Sequence, residues 1–385
     1  MKQGAPGRRV RGAKADFPDA ADPRNGRLSM DLPFASSEVS RRLLAWYGRE
    51  GRDLPWRHTR DPYRIWLSEI MLQQTTVAAV IPYYERFLHR FPTVAALAAA
   101  SLDDVITLWA GLGYYSRARN LHLAAREVLA EQDGIFPDTL DALTVLPGIG
   151  RSTAGAILSI AFDKPAPILD GNVRRVLVRL FAWRDDPRGS RAEKQLWAWA
   201  ELLTPVDRPH DYAQAIMDLG ATTCTPRAPA CGRCPLQDLC QAFGQGLATA
   251  LPVSRKPQMV PVRKQVALVA ANSGGFLLRQ RPSAGFLGGL WEFPTADLPD
   301  GLAPALAAGR LRDDLGMQGA LEKLADIRHA YSHFKLELAV FRVEAGTVDR
   351  IAEGSAYRWC SVDELELLPL HGAHRKACRK LAGDG

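Results

Sequence analysis

The chain has 385 residues, 47% of them hydrophobic, which is more than one hydrophobic core usually holds, so two or three domains are expected. A formal net charge of +7 and a pI near 9.2 suit a phosphate-bearing partner, but charge alone decides little: residues 1–35 hold seven basic against four acidic groups, and such a tail can be merely solubilising. No run of eighteen apolar residues occurs, and the first thirty residues bear charge and proline where a secretory signal needs an apolar stretch, which argues against membrane and secreted classes and for a cytoplasmic protein.

Residues 1–35 mix Gly, Pro, Arg and Asp without apolar periodicity and read as a disordered basic extension. From Ser36 the period is helical. Val39, Leu43, Leu44 and Trp46 share one face, and Ile65, Trp66, Ile70, Met71 and Leu72 begin a second amphipathic run. Pro92-Thr93 and the glycines at 111, 113, 148 and 150 separate further helices, and residues 191–219 resume the pattern through Leu196, Trp199, Leu203 and Ile216. This predicts an all-α domain over 36–240. Residues 241–262, rich in Gly, Pro and Ala, read as a linker. Beyond it, Val266–Ala270, Phe276–Leu278, Leu336–Val343 and Tyr357–Trp359 suggest strands, with helices over 302–315 and 374–381, so 263–385 is expected to be an α+β domain.

Cys224-x6-Cys231-x2-Cys234-x5-Cys240 places four thiols in seventeen residues, a donor set that suits a structural zinc or a cubane iron–sulfur cluster. Disulfides are disfavoured in a reducing cytosol. Leu146-Pro-Gly-Ile-Gly-Arg-Ser-Thr-Ala-Gly-Ala-Ile157 reads as a helix end, a glycine hairpin with Gly148 and Gly150, and a new helix capped by Ser152 or Thr153. Such a hairpin can present backbone N–H groups to a DNA phosphate, or can be an ordinary helix–helix turn. Glu69 lies among apolar residues, where desolvation favours a protonated carboxyl suited to general acid work; the alternative is a solvated glutamate on a polar face. Asp170, after Pro167-Ile-Leu and before Gly171-Asn-Val-Arg-Arg, has the pattern of a helix N-cap, in which a carboxylate is expected to stay ionised. Glycosidic cleavage uses such a pair, one carboxyl protonating the leaving group and one carboxylate facing an oxocarbenium-like sugar.

The hairpin, Leu169-Asp-Gly-Asn-Val-Arg-Arg175 and the cysteine spacing together resemble the endonuclease III and MutY superfamily of DNA glycosylases over residues 36–240. The resemblance implies a multidomain fold with an all-α helix-hairpin-helix glycosylase core and iron–sulfur module, a [4Fe-4S] cluster on Cys224, Cys231, Cys234 and Cys240, and a target nucleotide flipped out of the duplex. Bifunctional relatives carry a lysine nucleophile just after the hairpin, where this chain has Ser152; a monofunctional glycosylase is implied.

Leu54-Pro-Trp56 and Trp66–Thr75 are similar to the adenine pocket and catalytic helix of MutY-type adenine glycosylases. That similarity implies that Glu69 protonates adenine N7, Asp170 stabilises C1′ by charge or by a covalent bond, and Trp56 lines the pocket. Gln74 and Tyr114 are implied beside the opposite base, and Gln214 facing the adenine; outside that resemblance Tyr114 reads as a core aromatic and Gln214 as a surface amide.

Gly285–Pro294 resembles the terminal Nudix-like domain of that family, with Arg310 where a working Nudix hydrolase needs a glutamate for Mg²⁺. Arg328-His-Ala-Tyr-Ser-His-Phe334 resembles its 8-oxoguanine-reading loop, implying contacts from Ser332 and His333; Tyr331 stands where phenylalanine is usual, and its hydroxyl needs a partner. The expected partner is double-stranded DNA with an A:8-oxoguanine or A:G mismatch, met by a monomer at a bacterial nucleoid. The rivals are an endonuclease III-like glycosylase–lyase on oxidised pyrimidines, a non-catalytic iron–sulfur DNA-binding protein and a Nudix pyrophosphohydrolase.

Overall fold

The computed structural model describes residues 32–253, 260–282, 285–331, 333–344 and 356–382, so most of the expected N-terminal extension, the middle of the expected linker and Ser332 lie outside the described residues. In chain order the elements are α1 (Ser36–Glu50), α2 (Pro62–Leu72), α3 (Val77–Arg90), α4 (Val94–Ala99), α5 (Leu102–Trp109), α6 (Ser116–Gln132), α7 (Leu140–Val145), α8 (Arg151–Phe162), α9 (Gly171–Leu180), α10 (Ser190–Leu203), α11 (Pro209–Asp218) and α12 (Gln241–Gly244). Then follow β1 (Val262–Asn272), β2 (Gly275–Gln280), β3 (Trp291–Glu292), β4 (Thr295–Asp297), α13 (Pro304–Asp314), β5 (Glu322–Ala330), β6 (Lys335–Glu344), β7 (Tyr357–Cys360), α14 (Val362–Leu367) and α15 (Gly372–Ala382). Among the described residues no helix is long and apolar enough to cross a membrane.

The chain forms two compact units, Met1–Arg60 with Gly150–Arg255, and Asp61–Ile149 with Lys256–Gly385. In the first, α1 and α8–α12 surround a core in which Phe181 stacks on Trp199 with centroids 4.1 Å apart. In the second, α2–α7 bury Trp66, Phe87, Phe91 and Trp109, each at most 1% exposed, which contributes on the order of 1.5–3 kcal/mol per side chain. Short polar residues start several of these helices by accepting orphan backbone N–H groups: Asp61 from Tyr63, Thr93 from Ala96 and Ser101 from Asp104. The breaks fall where proline and glycine predict them, between α3 and α4, between α5 and α6, and between α7 and α8.

The second unit also carries a mixed sheet in the order β3-β2-β1-β6-β5, with β4 paired to β1 and β7 to β2. β1 and β6 are parallel, Val262 opposite Lys335 through Ala271 opposite Glu344. Both faces of β1 are covered: Val266, Leu268 and Ala270 pack toward Ala307, Ala308 and Leu311 of α13, while Ala267 and Val269 join a cluster with Leu365, Ala373 and Ala377. That is why Val266–Ala271 reads as an unbroken apolar run. Three strands escape the sequence reading. β5 buries only Ile327, and its alternation is broken by a register shift between Lys323 and Ala325; β3 and β4 are two and three residues long.

Candidate active site and metal centre

Glu69 lies half-buried on α2, flanked by buried Ser68, Ile70 and Met71. The end of that helix is held by a residue the sequence reading passed over. Arg117 of α6, 7% exposed, donates from Nη1 to the carbonyls of Ile70 (2.9 Å), Met71 (2.7 Å) and Gln73 (2.6 Å). Its Nη2 donates to Thr75 Oγ1 (3.0 Å) and to the Gly113 carbonyl (3.2 Å). One guanidinium therefore fixes both α2, which carries Glu69, and the two left-handed residues Gln74 (φ 57°) and Tyr114 (φ 50°). Burial pushes Arg117 down to about 10, still charged at neutral pH. Tyr114 is 38% exposed, so it is no core aromatic, and Arg117 sits 5.5 Å from its ring centroid. Arg117→Lys replaces a planar fork by a point charge that cannot reach these carbonyls together. A loss of about 2–3 kcal/mol is expected in chemical denaturation.

The hairpin follows α7. Gly148 has φ 81°, and a Cβ there would lie 2.9 Å from Cβ of Asn120, so this turn accepts only glycine without strain. Gly150, exposed, is the N-cap of α8. Ser152 is thus not the cap; its Oγ instead accepts the N–H of Leu169 (3.1 Å), which ties the start of α8 to the residue before Asp170. Gly155 brings the same helix close to that segment, since a Cβ would lie 2.2 Å from the Pro167 carbonyl oxygen. Gly155→Ala must push the 167–170 segment away, and a loss of about 1–3 kcal/mol is expected in thermal melting.

Asp170 caps α9 as expected: Oδ1 accepts from the Val173 N–H (2.7 Å) and Oδ2 from Asn172 Nδ2 (3.2 Å). Burial nevertheless outweighs these hydrogen bonds and raises its carboxyl above the ordinary range. From Asn172 the bonds continue. Arg175 donates from Nη2 to Asn172 Oδ1 (2.8 Å) and to the Gly220 carbonyl (2.6 Å), and from Nε to the Cys224 carbonyl (2.7 Å).

Cys224 opens the four-cysteine loop, and none of the six cysteines is in a disulfide. The donor set fits a cluster. Burial, with a smaller part from the neighbouring cysteines, raises the Cys240 thiol and pushes that of Cys234 up to about 12, so thiolates there require a metal. Arg179, 2% exposed, closes the loop from below: Nη1 lies 3.3 Å from Cys224 Sγ and donates to the Thr225 carbonyl (2.7 Å), Nη2 to Pro226 O (3.0 Å) and Nε to Leu251 O (2.8 Å). In the sequence Arg175 appears only within the Leu169–Arg175 motif, and Arg179 carries no signal of its own.

Trp56, 6% exposed, sits on the short turn Pro55–Arg57. Arg57 and Arg52 pin that turn to the end of α11 through Asp218, which is fully buried: Arg57 Nη1 lies 2.6 Å and Arg52 Nε 2.8 Å from its carboxylate. Burial works to raise the Asp218 carboxyl, and the two guanidinium groups overcome it and hold it below the usual range. Gln214 on α11 is 3% exposed, not a surface amide; its Nε2 lies 2.8 Å from Nε2 of His210, whose Nδ1 lies 2.8 Å from the Ile160 carbonyl. A carbonyl only accepts, so His210 carries its proton on Nδ1 and accepts from Gln214.

In the sheet part of the second unit, β5 and β6 are joined by a turn closed by Tyr331 N–H to Phe334 O (2.9 Å). Tyr331 and Phe334 face Phe286, with centroids 5.2 and 5.1 Å from its ring, and exposed His333 lies 6.4 Å from it. The hydroxyl of Tyr331 has its partner in His371 Nδ1, 2.8 Å away. Arg310 is exposed on α13, and Asp313 is paired with Arg312.

A helical core with this hairpin, capped aspartate and four-cysteine loop defines a base-excision glycosylase fold, and the comparisons agree. Residues 67–202 match the helix-hairpin-helix superfamily of base excision DNA repair proteins, residues 224–240 the iron–sulfur binding domain of endonuclease III, and residues 265–380 the Nudix domain. A solved thermostable thymine-DNA glycosylase superposes with TM-score 0.50 at 31% identity over 55% of this chain and 97% of that one. The adenine DNA glycosylase of Rattus norvegicus is 39% identical over 88% of this chain and 77% of its own, and that of Homo sapiens is 38% identical over 89% and 73%. The chain belongs to the adenine DNA glycosylase family and has a [4Fe-4S] cluster, in keeping with the iron–sulfur match over residues 224–240.

Proposed function

We propose that this DNA glycosylase removes adenine mispaired with 8-oxoguanine or guanine in duplex DNA, acting as a monomer and as a monofunctional hydrolase. The observation that carries the monofunctional reading is Ser152. Where bifunctional relatives place an amine, this chain has a hydroxyl already occupied by the Leu169 N–H, so no Schiff base with the sugar can form there.

In this reading Glu69 gives its proton to adenine N7, and the C1′–N9 bond breaks as the sugar takes on cationic character. The Asp170 carboxylate, poorly solvated and held by Val173 and Asn172, stabilises that cation better than a carboxylate in water would. Water then adds to C1′ and loses a proton, leaving adenine and an abasic site. Trp56 and Gln214 serve the adenine, Gln74 and Tyr114 enter beside the opposite base, and the hairpin with Gly148 and Gly150 meets a phosphate. Ser332 and His333 read the opposite base. When bound, the [4Fe-4S] cluster supplies a cross-link that orders Cys224–Cys240 around Arg179.

Single-turnover excision of adenine opposite 8-oxoguanine, guanine and cytosine tests the substrate. Faster release opposite 8-oxoguanine than guanine, and little opposite cytosine, is expected; equal rates on all three would overturn the mismatch reading.

A further inference from the structure

The buried centre of the sheet part holds titratable groups that the proposed chemistry does not use. Glu292 on β3 is 1% exposed, and Arg279 Nη2 (2.5 Å), Arg281 Nη1 (2.8 Å) and His371 Nε2 (3.1 Å) converge on its carboxylate. His374, fully buried, lies alongside with its ring centroid 4.3 Å from that of His371. One ligand atom from each of Glu292, His371 and His374 falls within 4.8 Å of the others, the spacing of a metal site.

The hydrogen bonds exclude that use. The backbone N–H of Phe293 donates to His374 Nδ1 (2.9 Å), so the proton of neutral His374 is on Nε2, which therefore has no lone pair for a metal. Two guanidinium groups already meet the carboxylate. His371 is fixed in the same manner: its Nε2 donates to Glu292, so its Nδ1 accepts, and Tyr331 is the donor. Burial lowers the pKa of His371, in keeping with a neutral ring.

We propose that Glu292, acting through His371, is a positioning hub for the turn that reads the base opposite adenine, with the Tyr331 hydroxyl as the latch. Two chain segments meet at this carboxylate. Through His371 it orients Tyr331, the first residue of the β5–β6 turn. Through Arg281, whose Nε also donates to the Phe286 carbonyl (3.3 Å), it holds Phe286, whose ring packs on Tyr331, His333 and Phe334. A phenylalanine at 331 keeps every ring contact and loses only what the hydroxyl makes, the latch to His371 and a backbone hydrogen bond at Ala373. The proposal rests on the reading of this turn as the mismatch sensor.

The test compares single-turnover excision from A:8-oxoguanine and A:G duplexes by the full cluster-loaded chain, Tyr331→Phe, His371→Ala and the double variant. Tyr331→Phe is expected to cut the preference for 8-oxoguanine over guanine about three- to tenfold, while the A:G rate stays within about twofold. The double variant is expected to be no worse than the worse single one, because the residues act in one chain. An unchanged preference in Tyr331→Phe, or an equal fall on both duplexes, would overturn the hub.

Imidazole ¹⁵N shifts of His371 separate this from failure of the mismatch reading. An Nε2-protonated ring whose Nδ1 shift moves in Tyr331→Phe is expected whatever the substrate, and an Nδ1-protonated ring would overturn the relay. An intact chain with no preference between the two duplexes, yet showing that signature, would overturn the sensing role.

Discussion

Glu69→Gln is expected to lower single-turnover adenine release by about 10²–10⁴-fold while leaving the fold and duplex binding intact. Glutamine is isosteric and polar, so it fits the same half-buried place on α2 between Ser68 and Ile70, and the Arg117 clamp on the carbonyls of Ile70, Met71 and Gln73 does not depend on the side chain at 69. What the amide cannot do is give up a proton to adenine N7 near neutral pH. The loss must therefore appear in the chemical step and not in the dissociation constant for a mismatched duplex, which a gel-shift titration reads. Release within about tenfold of the intact chain would remove Glu69 from the role of proton donor.

Asp170→Asn is expected to reduce the same rate by about 10²–10³-fold and yet to leave the melting temperature at pH 7 unchanged or higher. Burial raises the Asp170 carboxyl above its ordinary 3.8. A raised carboxyl is easier to keep protonated when folded than when unfolded, so its contribution to stability is full below the unfolded pKa and disappears as pH rises through the folded one. At neutral pH the ionised group is thus a cost that the fold carries. Asparagine removes the charge and retains an oxygen to accept the Val173 N–H, so the cap survives. The gain in melting temperature should vanish in acid below about pH 4, where Asp170 is protonated in either state. A variant that both melts lower at pH 7 and loses activity would point to a cap and nothing more.

Much of the candidate site was legible because each piece carries a local signal. Glycines mark the hairpin, an Asp-Gly pair marks the α9 cap, and four cysteines in seventeen residues mark a metal loop. The apolar run Val266–Ala270 announced a strand, but neither that both its faces are covered nor that its neighbour β6 runs parallel. What escaped is long-range and polar. Arg117, Arg179, Asp218 and Glu292 look like solvated positions in sequence, and only the fold shows them buried against carbonyls, a cluster cysteine or guanidinium groups. Ser152 was misread as a cap because Gly150, which has no side chain to accept the orphan N–H groups, takes that place. β5 left no usable alternation, since one residue of nine is buried.

The most direct test of the central claim is a product analysis of a single turnover on a duplex with adenine opposite 8-oxoguanine, split into samples with and without hot alkali. Free adenine in both, with the strand cut only after alkali, is the result expected of a monofunctional adenine glycosylase. Strand scission without alkali, or no adenine from cluster-loaded protein, would contradict it.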